Sequence, residues 1–136
     1  MNNINYENFK NIQEYQEFNK INNGSGNLMI RAYAANEAVP IQNVRIIVNL
    51  EFNNYNIIFF NGSTDESGNT PKIKLPAPVY NEDNLVAPLY TTYNIIALYN
   101  NIEYNYKVNL YDNICVIQTI NIKPELLERN KFYYGG

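Results

Sequence analysis

The sequence predicts an all-β protein, a seven-stranded antiparallel β-sandwich over residues 24–124, and three observations predict it. Apolar and polar side chains alternate from Leu28 onward, turn residues recur about every ten positions, and no helical apolar period occurs between residues 27 and 123. A chain of 136 residues fits one such domain with short extensions.

The elements follow in order. Residues 1–23 form an N-terminal arm in which Tyr6, Phe9, Ile12, Tyr15 and Phe18 recur at three-residue steps among Asn, Gln, Glu and Lys. Such steps drift around a helix by about 60° each, so the arm reads as a short amphipathic helix or a loosely held segment. Gly24-Ser25-Gly26 reads as a flexible joint. Leu28, Ile30, Ala32 and Ala34 then alternate with Met29, Arg31 and Tyr33, the pattern of a strand with one buried face. After Asn36–Pro40, the run Val44–Phe52 places Val44, Ile46, Val48, Leu50 and Phe52 on one side. Asn53-Asn54 turns the chain into Tyr55–Phe60, rich in β-branched and aromatic residues, and a turn over residues 61–70 leads to Ile73–Leu75. Pro76, Pro78 and Pro88 bracket a stretch that lacks ladder donors, so residues 77–87 read as a surface loop or edge segment. Thr91–Leu98, with Tyr93, Ile95 and Ala97 on one face, Tyr104–Leu110 and Ile114–Ile122 complete the seven strands, the fifth and sixth joined by Asn100-Asn101. Residues 125–136 form a tail holding Leu126, Leu127, Phe132, Tyr133 and Tyr134.

Composition narrows function. Ten Lys and Arg against thirteen Asp and Glu give a net charge of −3, the wrong sign for displacing counterions from nucleic acid. Histidine is absent, which removes the commonest general base and metal ligand. A single cysteine, Cys115, forbids an intrachain disulfide. Its place between Ile114 and Val116 reads as a buried, inert thiol. No apolar run reaches the 18 or so residues of a membrane span, and no leader is evident, so synthesis in the cytoplasm is expected. The 27 Asn, 17 Ile, 13 Tyr and 7 Lys make up nearly half of the chain. All four are written by AT-rich codons, and that bias accounts for most of the asparagine.

Three segments carry a family resemblance: Ala38–Ile46, Thr64-Asp65-Glu66-Ser67-Gly68-Asn69-Thr70 leading to Leu75-Pro76-Ala77-Pro78, and Tyr93–Ile96 through Tyr104 to Asn121. Together they resemble the transthyretin-like, or carboxypeptidase regulatory-like, β-sandwich family. More narrowly they are similar to the accessory domain of clostridial spore cortex-lytic and other peptidoglycan-associated proteins. The resemblance implies a Greek-key sandwich and a spore or cell-wall setting. It brings no hydrolysis, because the cortex-lytic catalytic domain is missing. Transthyretin-like hydrolases of 5-hydroxyisourate use histidines and a C-terminal Tyr-Arg-Gly-Ser, whereas this chain has no histidine and ends Tyr133-Tyr134-Gly135-Gly136.

The candidate residues are few. In TDESGNT the Asp65 carboxylate is placed to accept amides two and three residues on, and Gly68 to supply a positive φ, which makes a structural turn rather than a metal or acid–base site. The pairs Glu82/Asp83 and Glu103/Asp112 are the carboxylates a cryptic hydrolase would need, yet no motif surrounds them. Tyrosines 33, 55, 80, 90, 99, 106 and 111 exceed what a small core requires. Exposed tyrosine beside Asn and Ser suits recognition of protein or glycan, and Tyr80, Glu82, Asp83 and Tyr90 form the best candidate binding site. The expectation is therefore a non-catalytic binding or structural module without metal or cofactor. Its partner is a protein or a second copy through the arm or tail, with peptidoglycan or another glycan, or a carboxylate hydrolase, as alternatives.

Overall fold

The computed structural model describes residues 1–80, 82–83 and 89–123. In chain order these form β1 (Asn2–Asn5), α1 (Tyr6–Phe9), α2 (Glu14–Ile21), β2 (Gly24–Ala34), β3 (Val39–Pro40), β4 (Arg45–Phe52), β5 (Tyr55–Ser63), β6 (Ile73–Ala77), β7 (Thr91–Tyr99), β8 (Ile102–Leu110) and β9 (Cys115–Asn121). One sheet has the order β1-β5-β4-β7-β8; in the other, β2 lies between β9 and the pair β6 and β3. The chain is mostly β, and its two sheets share one core.

Seven antiparallel strands needs correcting to nine strands in mixed sheets among the described residues. β1 and β3 are too short for an alternation to show, and β1 runs parallel to β5 as β2 does to β9. The side-chain period of two is the same for both directions, so a single sequence does not reveal which strand lies beside which.

The alternation itself maps onto the core. Leu28, Ile30 and Ala32 of β2 are fully buried against Ile46 and Val48 of β4 and Tyr93, Ile95 and Ala97 of β7. Each large apolar side chain so buried contributes about 1.5–3 kcal/mol. Asn53-Asn54 and Asn100-Asn101 link paired residues as two-residue hairpin loops, all four at positive φ, where asparagine is tolerated better than most residues. Of nine non-glycine residues at positive φ among the described residues, seven are Asn, so part of the asparagine content is turn chemistry rather than codon bias.

The arm is built differently from one crooked helix. Asn5 caps α1 by accepting from the Asn8 amide at 2.8 Å, and the break between α1 and α2 resets the angular drift of the three-residue steps. Phe9 and Phe18 are thereby fully buried against Ile57, with Ile12, Tyr15, Phe52 and Tyr55 around them. A bulge between Val48 and Asn49 leaves Phe59 of β5 without a cross-strand partner. Its ring meets Tyr93 edge-on at 5.1 Å, Tyr6 at 4.6 Å and Phe18 at 6.2 Å, which joins the arm's cluster to the main core.

Gly24 and Gly26 are not a flexible joint. Both lie in β2, paired with Ala77 and Leu75, and a Cβ on Gly26 would collide with the Tyr111 and Ile114 carbonyls. The glycines admit the turn after β8, whose Asn113 amide donates to the Ser25 carbonyl at 2.9 Å. Cys115 is likewise corrected from buried to exposed. Leu28, Ile30 and Ala32 pair in register with Val116, Gln118 and Ile120, which share their inward face and turn Cys115 outward.

Two outcomes follow. Phe18→Ala should cost about 3–5 kcal/mol in urea unfolding; a loss below about 1 kcal/mol would show that the arm is not docked as described. Burial, and secondarily Tyr6, holds the Tyr93 phenol above its ordinary pKa, and burial followed by Tyr15 does the same for Tyr6. The unfolded chain therefore loses these protons first. Stability should be intact below about pH 10 and decline above it. Tyr93→Phe should flatten that decline in urea midpoints taken between about pH 8 and 11.

Candidate functional site

Three segments leave the sheets at one end of the sandwich. Val79 and Tyr80 follow β6, Leu89 and Tyr90 precede β7, and the Tyr111–Ile114 turn joins β8 to β9. Tyr80 is 64% exposed, Leu89 57%, Ile114 50% and Tyr90 44%, and Val79 and Tyr111 are nearly as open. The Tyr90 and Tyr111 rings lie 5.5 Å apart, tilted by 50°. Tyr80, Leu89, Tyr111, Asp112, Asn113 and Ile114 line a hollow of about 600 Å³. Large exposed side chains are thus gathered here, with Asp112 and Asn113 beside them.

The base of this surface is firmly tied. Asp112 Oδ1 accepts from the Ser25 amide at 3.1 Å, Asn23 Oδ1 accepts from the Val79 amide at 3.1 Å, and the Thr91 hydroxyl donates to Asn22 Oδ1. Its rings therefore sit on pinned segments, which lowers the entropy lost when a ligand orders them.

Of the sequence-chosen residues, Tyr80 lines the hollow and Tyr90 packs on Tyr111, while Glu82 and Asp83 are exposed between them in sequence. Residues 84–87 of that loop, Pro88, and the tail with Leu126, Leu127, Phe132, Tyr133 and Tyr134 lie outside the described residues. Leu89, Asp112, Asn113 and Ile114 were not legible as partners, because the β8–β9 turn reaches Tyr80 only through sheet pairing. The other surplus tyrosines are spent on packing: Tyr55 in the arm's cluster, Tyr99 and Tyr106 against the main core, and Tyr33 beneath Arg31 at 4.6 Å. Glu103 and Asp112 stand at opposite ends of β8, roughly 30 Å apart at strand rise, and form no pair.

The TDESGNT turn joins the sheets. Asp65 Oδ1 accepts from the Ser67 and Asn69 amides at 2.9 and 3.0 Å, two and four residues on, and Gly68 has φ 79°. Buried Thr64 accepts from the Val44 amide and donates to the Ile41 carbonyl, while buried Thr70 accepts from the Ile30 amide.

No family model and no curated protein matches this chain. Among solved structures, (S)-allantoin synthase matches 74% of this chain and 41% of its own, at 9% identity and a TM-score of 0.48. This chain thus spans less than half of that structure's length. The expectation that the chain is not an enzyme is corrected on this finding: a solved enzyme is among the chains that resemble it, so the exclusion of catalysis is withdrawn. A likeness at this level assigns no activity. Among the described residues, no helix is long and apolar enough to cross a membrane.

Gly68→Ala should destabilise the protein by more than about 1 kcal/mol, since the residue must keep a positive φ and its Cβ would stand 2.6 Å from the Ala32 carbonyl. Thermal melting of the variant checks this, and an unchanged midpoint would contradict the packing of the turn on β2.

Proposed function

We propose that this chain is a recognition module that binds a protein partner through the surface of Tyr80, Leu89, Tyr90, Tyr111 and Ile114. The observation that carries the reading is the gathering of these large exposed side chains on three pinned segments. Tyrosine supplies wide, stiff contact area at low entropic cost, and Asp112 and Asn113 supply the polar rim that interfaces carry around an apolar centre. The fold we assign to the module is the Greek-key sandwich of the transthyretin-like family. In support stand two facing sheets and a TDESGNT turn followed by the Leu75-Pro76-Ala77-Pro78 segment. A place in spore or cell-wall assemblies is part of the proposal and rests on that resemblance. The arm's aromatic groups are used by its own sheet, so among the described residues we assign the aromatic end to a partner or a second copy.

The triple variant Tyr80→Ser/Tyr90→Ser/Tyr111→Ser tests this beside the wild type. Both should melt within a few degrees of each other, and a protein captured by the wild type should be reduced at least about tenfold on the variant, as expected when tyrosine anchors are removed. A partner held equally by both overturns the reading. Retention on purified wall glycan that the variant loses would transfer it to glycans.

A further inference from the structure

We infer that a second copy of this chain joins along the open edge of β9, strand to antiparallel strand, with Ile117 on the two-fold axis. This contact is separate from the aromatic surface and does not rest on the recognition reading. Backbone direction is the first ground. The Ile114 carbonyl accepts from the Asn27 amide at 2.9 Å, and the Ile122 amide donates to the Tyr33 carbonyl at 2.8 Å. Alternate residues of a parallel strand turn both backbone groups to the same neighbour, so the even-numbered residues of β9 are spent on β2. Cys115, Ile117 and Thr119 turn theirs away, to a side on which no strand pairs among the described residues. The Asn121 amide donates to the Tyr106 hydroxyl at 3.4 Å and the Lys123 amide to the Tyr104 hydroxyl at 3.3 Å, which closes the far end. The open run is therefore centred on Ile117, and that symmetry fixes a register.

Edge chemistry is the second ground. Proteins shield edge strands with charge, proline or shortness. At the other edges of the described sheets, β8 carries Glu103 and Lys107, β6 carries Lys74 and Pro76, β3 is two residues long with Pro40, and β1 is four residues long. β9 runs for seven residues, Cys-Val-Ile-Gln-Thr-Ile-Asn, with no charge, proline or register shift. Its outward face shows Ile117 at 53% exposure beside the exposed Cys115. A two-fold antiparallel pairing sets Ile117 opposite its own copy and Cys115 opposite the second copy's Thr119, with about six main-chain hydrogen bonds and no like charges across the axis. The Thr119 carbonyl already accepts from Gln118 Nε2 at 3.1 Å, and its second lone pair serves the new bond. An identical strand satisfies both edges at once, so assembly closes at two copies.

Sedimentation of the full chain at about 100 μM should give twice the mass of one chain. Ile117→Lys, which puts two cations face to face at an exposed position, should weaken association at least about tenfold while the amide spectrum of the fold is retained. In a Cys115→Ser background, Ile117→Cys should cross-link two copies under mild oxidation, because directly opposed Cα atoms stand about 5.5 Å apart. The native Cys115 should not, since the same register leaves the two Cys115 residues about 14 Å apart along the strands. A mass of one chain, association untouched by Ile117→Lys, no cross-link through Ile117→Cys, or a cross-link through Cys115 that forms as readily overturns the inference. The recognition reading is tested apart from it, by the tyrosine triple variant, which leaves β9 unchanged.

Discussion

The structure turns on an overhang. The β4–β5 hairpin is apolar on its inner face along its whole length, from Ile46 and Val48 through Leu50 and Phe52 and back through Ile57 and Phe60. The facing sheet built on β2 covers only its first half. Leaving the second half in water would expose several aromatic rings on a flat sheet, which invites pairing with other chains. The arm answers this by laying Phe9 and Phe18 over the uncovered rings, and β1 pairs along the outer edge of β5. Phe59, released from the ladder by the bulge, spans the seam between the two clusters, so arm and sandwich share one apolar interior.

Asparagine does two kinds of work on this scaffold. At Asn53, Asn54, Asn100 and Asn101 it accepts the positive φ that tight hairpins demand. On the outer face of the five-stranded sheet it forms a row, Asn49 donating to Asn56 at 2.8 Å and Asn56 to Asn3 at 3.1 Å, which ties the edge strand β1 to its neighbours through side chains as well as backbone. A composition that codon bias would explain is therefore partly converted into structure.

What the sequence disclosed, and what it hid, divides along one physical line. Facts of period two were legible: Leu28, Ile30 and Ala32, or Tyr93, Ile95 and Ala97, are buried as their alternation requires. Facts of pairing were not. Parallel contact between β2 and β9 leaves no trace in either strand, and from it follow both the exposure of Cys115 and the close crossing that makes Gly24 and Gly26 strand residues rather than hinges. The candidate site shows the same division. Tyr80 and Tyr90 are near each other in sequence, while Tyr111 and Ile114 join them only because β8 returns beside β7 and β9 beside β2.

The two aromatic clusters then form a controlled comparison within one molecule. Phe9, Phe18, Phe52 and Phe59 are phenylalanine throughout, the first two fully buried and the other two half-buried, and they are linked to the main core. Tyr80, Tyr90 and Tyr111 are tyrosine throughout and open to solvent, with Asp112 and Asn113 beside them. Folding needs the first set, because removing a buried ring leaves a cavity that its neighbours do not fill. It gains little from the second, whose rings cover no part of the core. Yet the second set is held by segments that are hydrogen-bonded to Asn22, Asn23 and Ser25 through the Thr91 hydroxyl, the Val79 amide and the Asp112 carboxylate. Rigid presentation of rings that the fold does not require is the feature on which the proposed recognition role rests.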